Sequence, residues 1–150
     1  MSPTVRRRNL FASLFAGLGA MVASRAEAAP VGVDRTKVVY HLSDLDKVSF
    51  VLGNIKNHFD GMGGPDKVTI ALVVHGPALK AFHSASASPD VTKRVGGFAK
   101  DGLELMACGR TMETQNISLN DLLPGFVVAD EGGVVRIAEL QSQGYAYLKP

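Results

Sequence analysis

The stretch Lys67-Val68-Thr69-Ile70-Ala71-Leu72-Val73-Val74-His75-Gly76-Pro77 decides the fold. After Lys67 the run is apolar and largely β-branched until His75, with Thr69 its only polar residue. It lacks the strict polar alternation of a strand with one wet face, and it is short for a helix. Such a strand is covered on both faces, as parallel strands between helices are. His75-Gly76-Pro77 then turns the chain into a short helix carrying Leu79 and Phe82.

Outward from that strand the same alternation repeats. Lys37 to Leu42, rich in Val and Tyr, is a first strand; Ser43 or Asp44 can cap the helix after it. In that helix Val48, Val51, Leu52, Ile55 and Phe59 recur at helical spacing, and Gly61, Gly63, Gly64 and Pro65 end it. Ser84 to Ser88 reads as a loop, and Pro89 opens a helix lined by Val91, Val95 and Phe98 and stopped by Gly102. Leu103 to Ala107 is a third strand, with Cys108-Gly109 at its C-terminal end. Thr111 and Ser118 are the expected caps of the next helices; Phe126 to Ala129, a helix over 133–143, and Tyr145 to Leu148 complete the chain. The pattern predicts an α/β domain with a five-stranded, mostly parallel, doubly wound sheet of flavodoxin-like type.

The first 28 of the 150 residues read as an address. Arg6-Arg7-Arg8 precedes a mild apolar run from Leu10 to Ala23, and Ala26-Glu27-Ala28 is a small-x-small cleavage pattern. Arg7-Arg8-Asn9-Leu10-Phe11 resembles a twin-arginine export motif, so the expectation is export to the periplasm with cleavage near Ala28. A general secretory signal and an uncleaved anchor are the other readings; the run is short of the ~20 apolar residues a spanning helix needs. Residues 29–36 are then a lead-in and 37–150 a single domain. Without the leader, 12 basic side chains stand against 13 acidic ones, a net charge of −1. No Lys/Arg stripe remains to make a nucleic-acid footprint, and stable membrane insertion is not expected.

In open α/β sheets ligands sit beyond the C-terminal strand ends, and the first three ends carry His41, His75 and Cys108. Cys108 is the only cysteine, so no internal disulfide is possible. At a strand end and just before a helix, amide dipoles and a neighbouring cation, Arg110, favour the thiolate. A thiolate there can take sulfane sulfur from a donor, hold it as a persulfide and pass it to another molecule. The other readings of Cys108 are a metal ligand, with His41 and His75, and a small buried hydrophobe. His41 and His75 can equally order loops, and Arg110 can be a solvated helix-start residue. Asn116 and Glu113 are close enough in sequence to line the same crevice, whereas His58 and His83 read as helix-surface residues. Gly63-Gly64 and Gly76-Pro77 are turn punctuation rather than phosphate cradles, and no nucleophile elbow marks a serine hydrolase.

Leu103 to Met112, Asp121-Leu122-Leu123-Pro124-Gly125 and Gly144-Tyr145-Ala146-Tyr147-Leu148 resemble the DsrE/DsrF-like sulfur-relay family, in particular an exported subgroup. The likeness covers about Lys37 to Pro150. It implies a DsrE-like fold, the sulfur-carrying role for Cys108, and assembly as a homo-trimer or hexamer. It implies no cofactor and no resident metal, with sulfur-donor and sulfur-acceptor proteins or small sulfane-sulfur compounds as partners. Relatives of this fold that lack a carrying cysteine serve as structural subunits. A non-catalytic subunit and a small metal- or anion-binding module therefore stand beside sulfurtransferase activity as alternatives.

Overall fold

The computed structural model describes residues 35–150; the expected signal segment, residues 1–28, lies outside the described residues. The decisive stretch forms β2 (Val68–Val74), in which six of seven residues are buried. It pairs in parallel with β1 (Thr36–Leu42) on one side and β3 (Glu104–Cys108) on the other. β4 (Phe126–Ala129) joins β3 and β5 (Ala146–Leu148) joins β1, both parallel, giving the order β4-β3-β2-β1-β5. The doubly wound, five-stranded α/β expectation holds, with every strand pair parallel. In the flavodoxin-like order β1 lies between β2 and β3; here it lies between β2 and β5.

That order fixes where the helices go. From β1 to β4 the chain steps across the sheet in one direction, and right-handed crossovers put their connecting segments on one face. These include α1 (Val48–Met62), α2 (Pro89–Lys100) and α3 (Gly109–Gln115). β5 lies back beyond β1, so the connection from β4 runs the opposite way. A right-handed crossover then places α4 (Gly133–Ser142) on the other face, over β1, β2 and β3.

The two faces have unequal cores. Val51, Leu52, Ile55, Val95, Leu79 and Phe82 fill the first against Ile70, Leu72, Val74 and Leu105. On the second, Ile137 and Leu140 of α4 meet only Val39, Ala71, Val73 and Met106. A five-strand sheet is about 19 Å wide and a helix about 10 Å across. One helix therefore leaves Val127 of β4 and Tyr147 of β5 exposed, along with Val134 and Val135 of α4 itself.

Several termini differ from the expected caps for local reasons. The chain after Asp44 makes a 3₁₀ turn, Leu45–Lys47, before α1 begins at Val48. Ser43 Oγ donates to Asp44 Oδ1 and Ser43 O accepts from Ala78 N–H, so neither side chain caps. Gly61 lies inside α1, and Gly63 at φ 89° ends it. Ser88 Oγ caps α2 by accepting from Val91 N–H at 3.2 Å. α3 starts at Gly109, so Cys108 itself occupies the N-cap position expected for Thr111. Ser118 begins only a 3₁₀ turn, Leu119–Asp121, closed by a reciprocal Ser118–Asp121 capping box. His58 is half-buried and hydrogen-bonds the Tyr40 hydroxyl at 2.9 Å, and His83 Nδ1 accepts from Ala85 N–H, so both have local partners.

Phe82 is fully buried and meets Phe126 edge-on, with ring centroids 5.3 Å apart. Phe82→Ala is expected to lower unfolding free energy by about 3–5 kcal/mol in urea titration; a change below about 1 kcal/mol would refute this packing.

Candidate functional site

Side chains alternate faces along a strand, and register carries the alternation across the sheet. Val39 pairs with Tyr147, His41 with Val73, Val73 with Met106, and Cys108 with Ala129. His75 follows β2 in extended conformation, one step beyond the Val74–Ala107 pair, and so stands beside Cys108. Tyr147, His41, His75 and Cys108 thus share the face that α4 covers. The connection leaving β3 goes to the first face and the one leaving β4 to the second, so the chain parts beside Cys108.

Two helix starts converge on the Cys108 sulfur. Burial pushes the thiol up, but the Thr111 hydroxyl and the nearby amides of Gly133, Thr111 and Arg110 favour a charged sulfur, and the net shift is downward. The Arg110 and Thr111 amides belong to the first turn of α3, and the Gly133 amide opens α4. Gly76 N–H donates to Thr111 Oγ1 at 2.9 Å, which leaves the hydroxyl proton for the sulfur. Gln115 Nε2 donates to Gly76 O at 2.8 Å, so the turn after β2 is pinned twice to α3. Gln115 Oε1 is the one buried side-chain oxygen or nitrogen left without a partner among the described residues.

Close approach explains two glycines. A Cβ on Gly133 would lie 3.2 Å from Val73 Cγ1, 3.3 Å from Cys108 Cβ and 3.5 Å from His75 Cβ. A Cβ on Gly109 would lie 3.0 Å from Ala129 O and 3.2 Å from the backbone of Asp130. Any larger residue at Gly133 would hold the α4 amide away from the sulfur.

His41 and His75 meet directly. Their Nε2 atoms hydrogen-bond, the ring centroids lie 4.7 Å apart with planes inclined by 25°, and Tyr147 Oη bonds His41 Nδ1 at 2.7 Å. Burial, reinforced by His75 and Lys149 and opposed by Asp44, lowers the His41 pKa from 6.5 to about 4. Burial and Lys149 lower that of His75 as well, against Asp44. Both imidazoles are therefore neutral at pH 7.

His75, Lys80, Cys108, Arg110, Thr111, Thr114 and Gln115 line one open cleft of about 490 Å³. Arg110 is exposed and pairs with Glu113 at 3.3 Å, an ion pair in water that contributes little. Asn116 is the left-handed C-cap of α3, with φ 53°, and with Glu113 it lines a different cleft, next to Ser118 and Asp121. The structure thus brings His41, His75 and Cys108 to one face and Arg110 to the cleft, and places Asn116 at the far end of α3. No three His, Cys, Asp or Glu side chains gather as a metal-holding group among the described residues.

The DsrE/DsrF-like family model matches residues 41–150, from the first histidine of this site to the C-terminus. The chain belongs to the DsrE/DsrF-like family. Solved DsrE-like structures agree. A protein of unknown function from Methanobacterium thermoautotrophicum, MTH1491, is similar at 25% identity with a TM-score of 0.67, covering 77% of this chain and 99% of that one. The ychN protein from E. coli, at 9% identity and TM-score 0.55, covers 77% of this chain and 100% of its own and shares the fold. No curated protein matches.

Sequence reasoning left out Tyr147, Gly133 and Gln115 as site residues, took Thr111 for a helix cap and Gly76 for punctuation. Only Thr111, three residues after Cys108, carried a usable signal, since the first turn of a helix after a strand-end thiol faces that thiol.

Two outcomes follow. Thr111→Val removes one donor to a charged sulfur, so alkylation of Cys108 at pH 7 should slow about tenfold; an unchanged rate would remove Thr111 from the site. His41, with a folded pKa of about 4 against 6.5 unfolded, binds fewer protons folded than unfolded between those values. Stability is therefore lost as pH falls from about 6.5 towards 4, and His41→Gln should flatten the fall of Tm over that window. An identical Tm profile in the variant would contradict the shift.

Proposed function

We propose that this protein is a sulfur carrier in which Cys108 takes up sulfane sulfur as a persulfide and hands it to an acceptor thiol. The observation that carries this reading is the placement of Cys108 between the starts of α3 and α4, with the Gly133 backbone against its Cβ and Arg110 and Thr111 in the same cleft. The chain is a member of a family of sulfur-relay type, and that placement lowers the thiol pKa, as the chemistry needs.

In the loading step the Cys108 thiolate attacks the outer sulfur of a donor R–S–SH. The Sγ–S bond forms and the donor's S–S bond breaks, its electron pair leaving on R–S⁻ and giving Cys108–S–SH, with no net oxidation. In the second step an acceptor thiolate attacks the outer sulfur of Cys108–S–SH, and Cys108 leaves as thiolate. A stabilised thiolate is a better leaving group, so the same amides that favour loading also favour release. With no second cysteine in the chain, the acceptor is another molecule. Neither step needs a cofactor.

Export completes the proposal: the twin-arginine leader delivers the folded domain to the periplasm, cleaved near Ala28. Among the described residues no helix is long and apolar enough to cross a membrane. The exposed Val127, Val134 and Val135 beside α4 supply apolar surface for a homo-trimer or hexamer.

Intact mass of the protein recovered from the periplasmic fraction tests both parts. The account expects a chain beginning at Ala29 that gains one sulfur atom on incubation with polysulfide, with no gain in Cys108→Ser. A wild type that gains nothing and resists alkylation would overturn the carrier and leave the structural subunit.

A further inference from the structure

We propose that His75, His41 and Tyr147 form a proton relay that serves Cys108, running across the sheet from the thiol cleft to solvent at β5. The inference rests on the carrier reading for its purpose and on separate geometry for its existence.

The chain of contacts is continuous. His75 stands beside Cys108 and lines the same cleft; its Nε2 bonds His41 Nε2, and His41 Nδ1 bonds the hydroxyl of Tyr147, a residue 40% exposed. This leaves His75 Nδ1 as the ring nitrogen of the pair available to the cleft. Two neutral arrangements satisfy every contact. In one, Tyr147 donates to His41 Nδ1, His41 Nε2–H donates to His75 Nε2, and His75 carries its proton on Nδ1. In the other, His75 Nε2–H donates to His41 Nε2 and His41 Nδ1–H donates to Tyr147 Oη.

Sulfur transfer needs such an exchange. The leaving R–S⁻ takes the proton on His75 Nδ1; His75 Nε2 then takes the proton of His41 Nε2, His41 Nδ1 takes that of Tyr147, and water reprotonates Tyr147. Each group ends neutral, and the hydroxide left by water stays in bulk solvent. The reverse shift accepts a proton from an incoming acceptor thiol. No imidazolium is formed at rest, which suits two half-buried imidazoles facing Lys149 and each other, with Asp44 the opposing carboxylate. From β3 the facing ionisable group is Cys108, from the shared cleft Lys80 and Arg110, and from the start of α4 the uncharged Gly133 backbone.

The deciding experiment is ring-nitrogen NMR of histidine-labelled protein across about pH 5 to 9, the range that brackets imidazole titration. The relay predicts that both imidazoles stay neutral and change tautomer together at the Cys108 midpoint, and that the change disappears in Cys108→Ser. Fixed tautomers, or stoichiometric zinc or copper lost in His75→Ala, would overturn it, and this holds whether or not Cys108 accepts sulfur. Where the wild type does load, Tyr147→Phe and His41→Gln should slow transfer to glutathione about tenfold at a pH above the imidazole range, where His41 protonation does not enter Tm, and added imidazole should restore His75→Ala. Unaltered rates and pH profiles in both variants would also overturn it.

Discussion

Everything at this site depends on one close approach, that of the Gly133 backbone at the start of α4 to Cys108. The approach exists because β5 returns to lie beside β1. That return sends the last crossover over the opposite face from all the others. α4 therefore begins directly above the end of β3, and the absence of a side chain at Gly133 lets it descend onto Val73, Cys108 and His75. Had β5 been added beside β4, α4 would have joined the first face and the sulfur would have met α3 alone.

The thiol and the imidazoles divide the electrostatics of this face between them. Burial opposes charge on all three groups, yet only the sulfur is given donors enough to outweigh it. The dipoles that lower the thiol pKa are fixed by the backbone and need no reorganisation when charge forms on the sulfur. The histidines spend their bonding capacity on each other and on Tyr147. A neutral histidine pair beside a stabilised thiolate is suited to moving protons without competing for the negative charge.

Much of the fold was legible in the sequence because β2 is nearly all apolar and each helix carries its own periodic stripe. All five expected strands form, with ends displaced by a residue or so. Cys108, His41 and His75 were legible as candidates because strand ends are where a parallel sheet places its chemistry. The rest depends on contacts distant in sequence. Thr111 was read as a cap because nothing local shows that Gly76, 35 residues earlier, supplies the N–H that orients its hydroxyl. Tyr147 meets His41 across 106 residues only because β5 pairs with β1, and strand order is not written in periodicity. Asn116 looked close to Cys108 in sequence, but the seven residues of α3 carry it to another cleft.

The central claim is that the starts of α3 and α4 jointly hold Cys108 as a thiolate. Amide NMR during a pH titration tests it most directly. The account predicts that the Arg110, Thr111 and Gly133 amide protons shift together with a single midpoint below that of a free cysteine thiol, and that Cys108→Ser abolishes the shift. Amides that do not respond, or a shared midpoint at or above that of the free thiol, would contradict it.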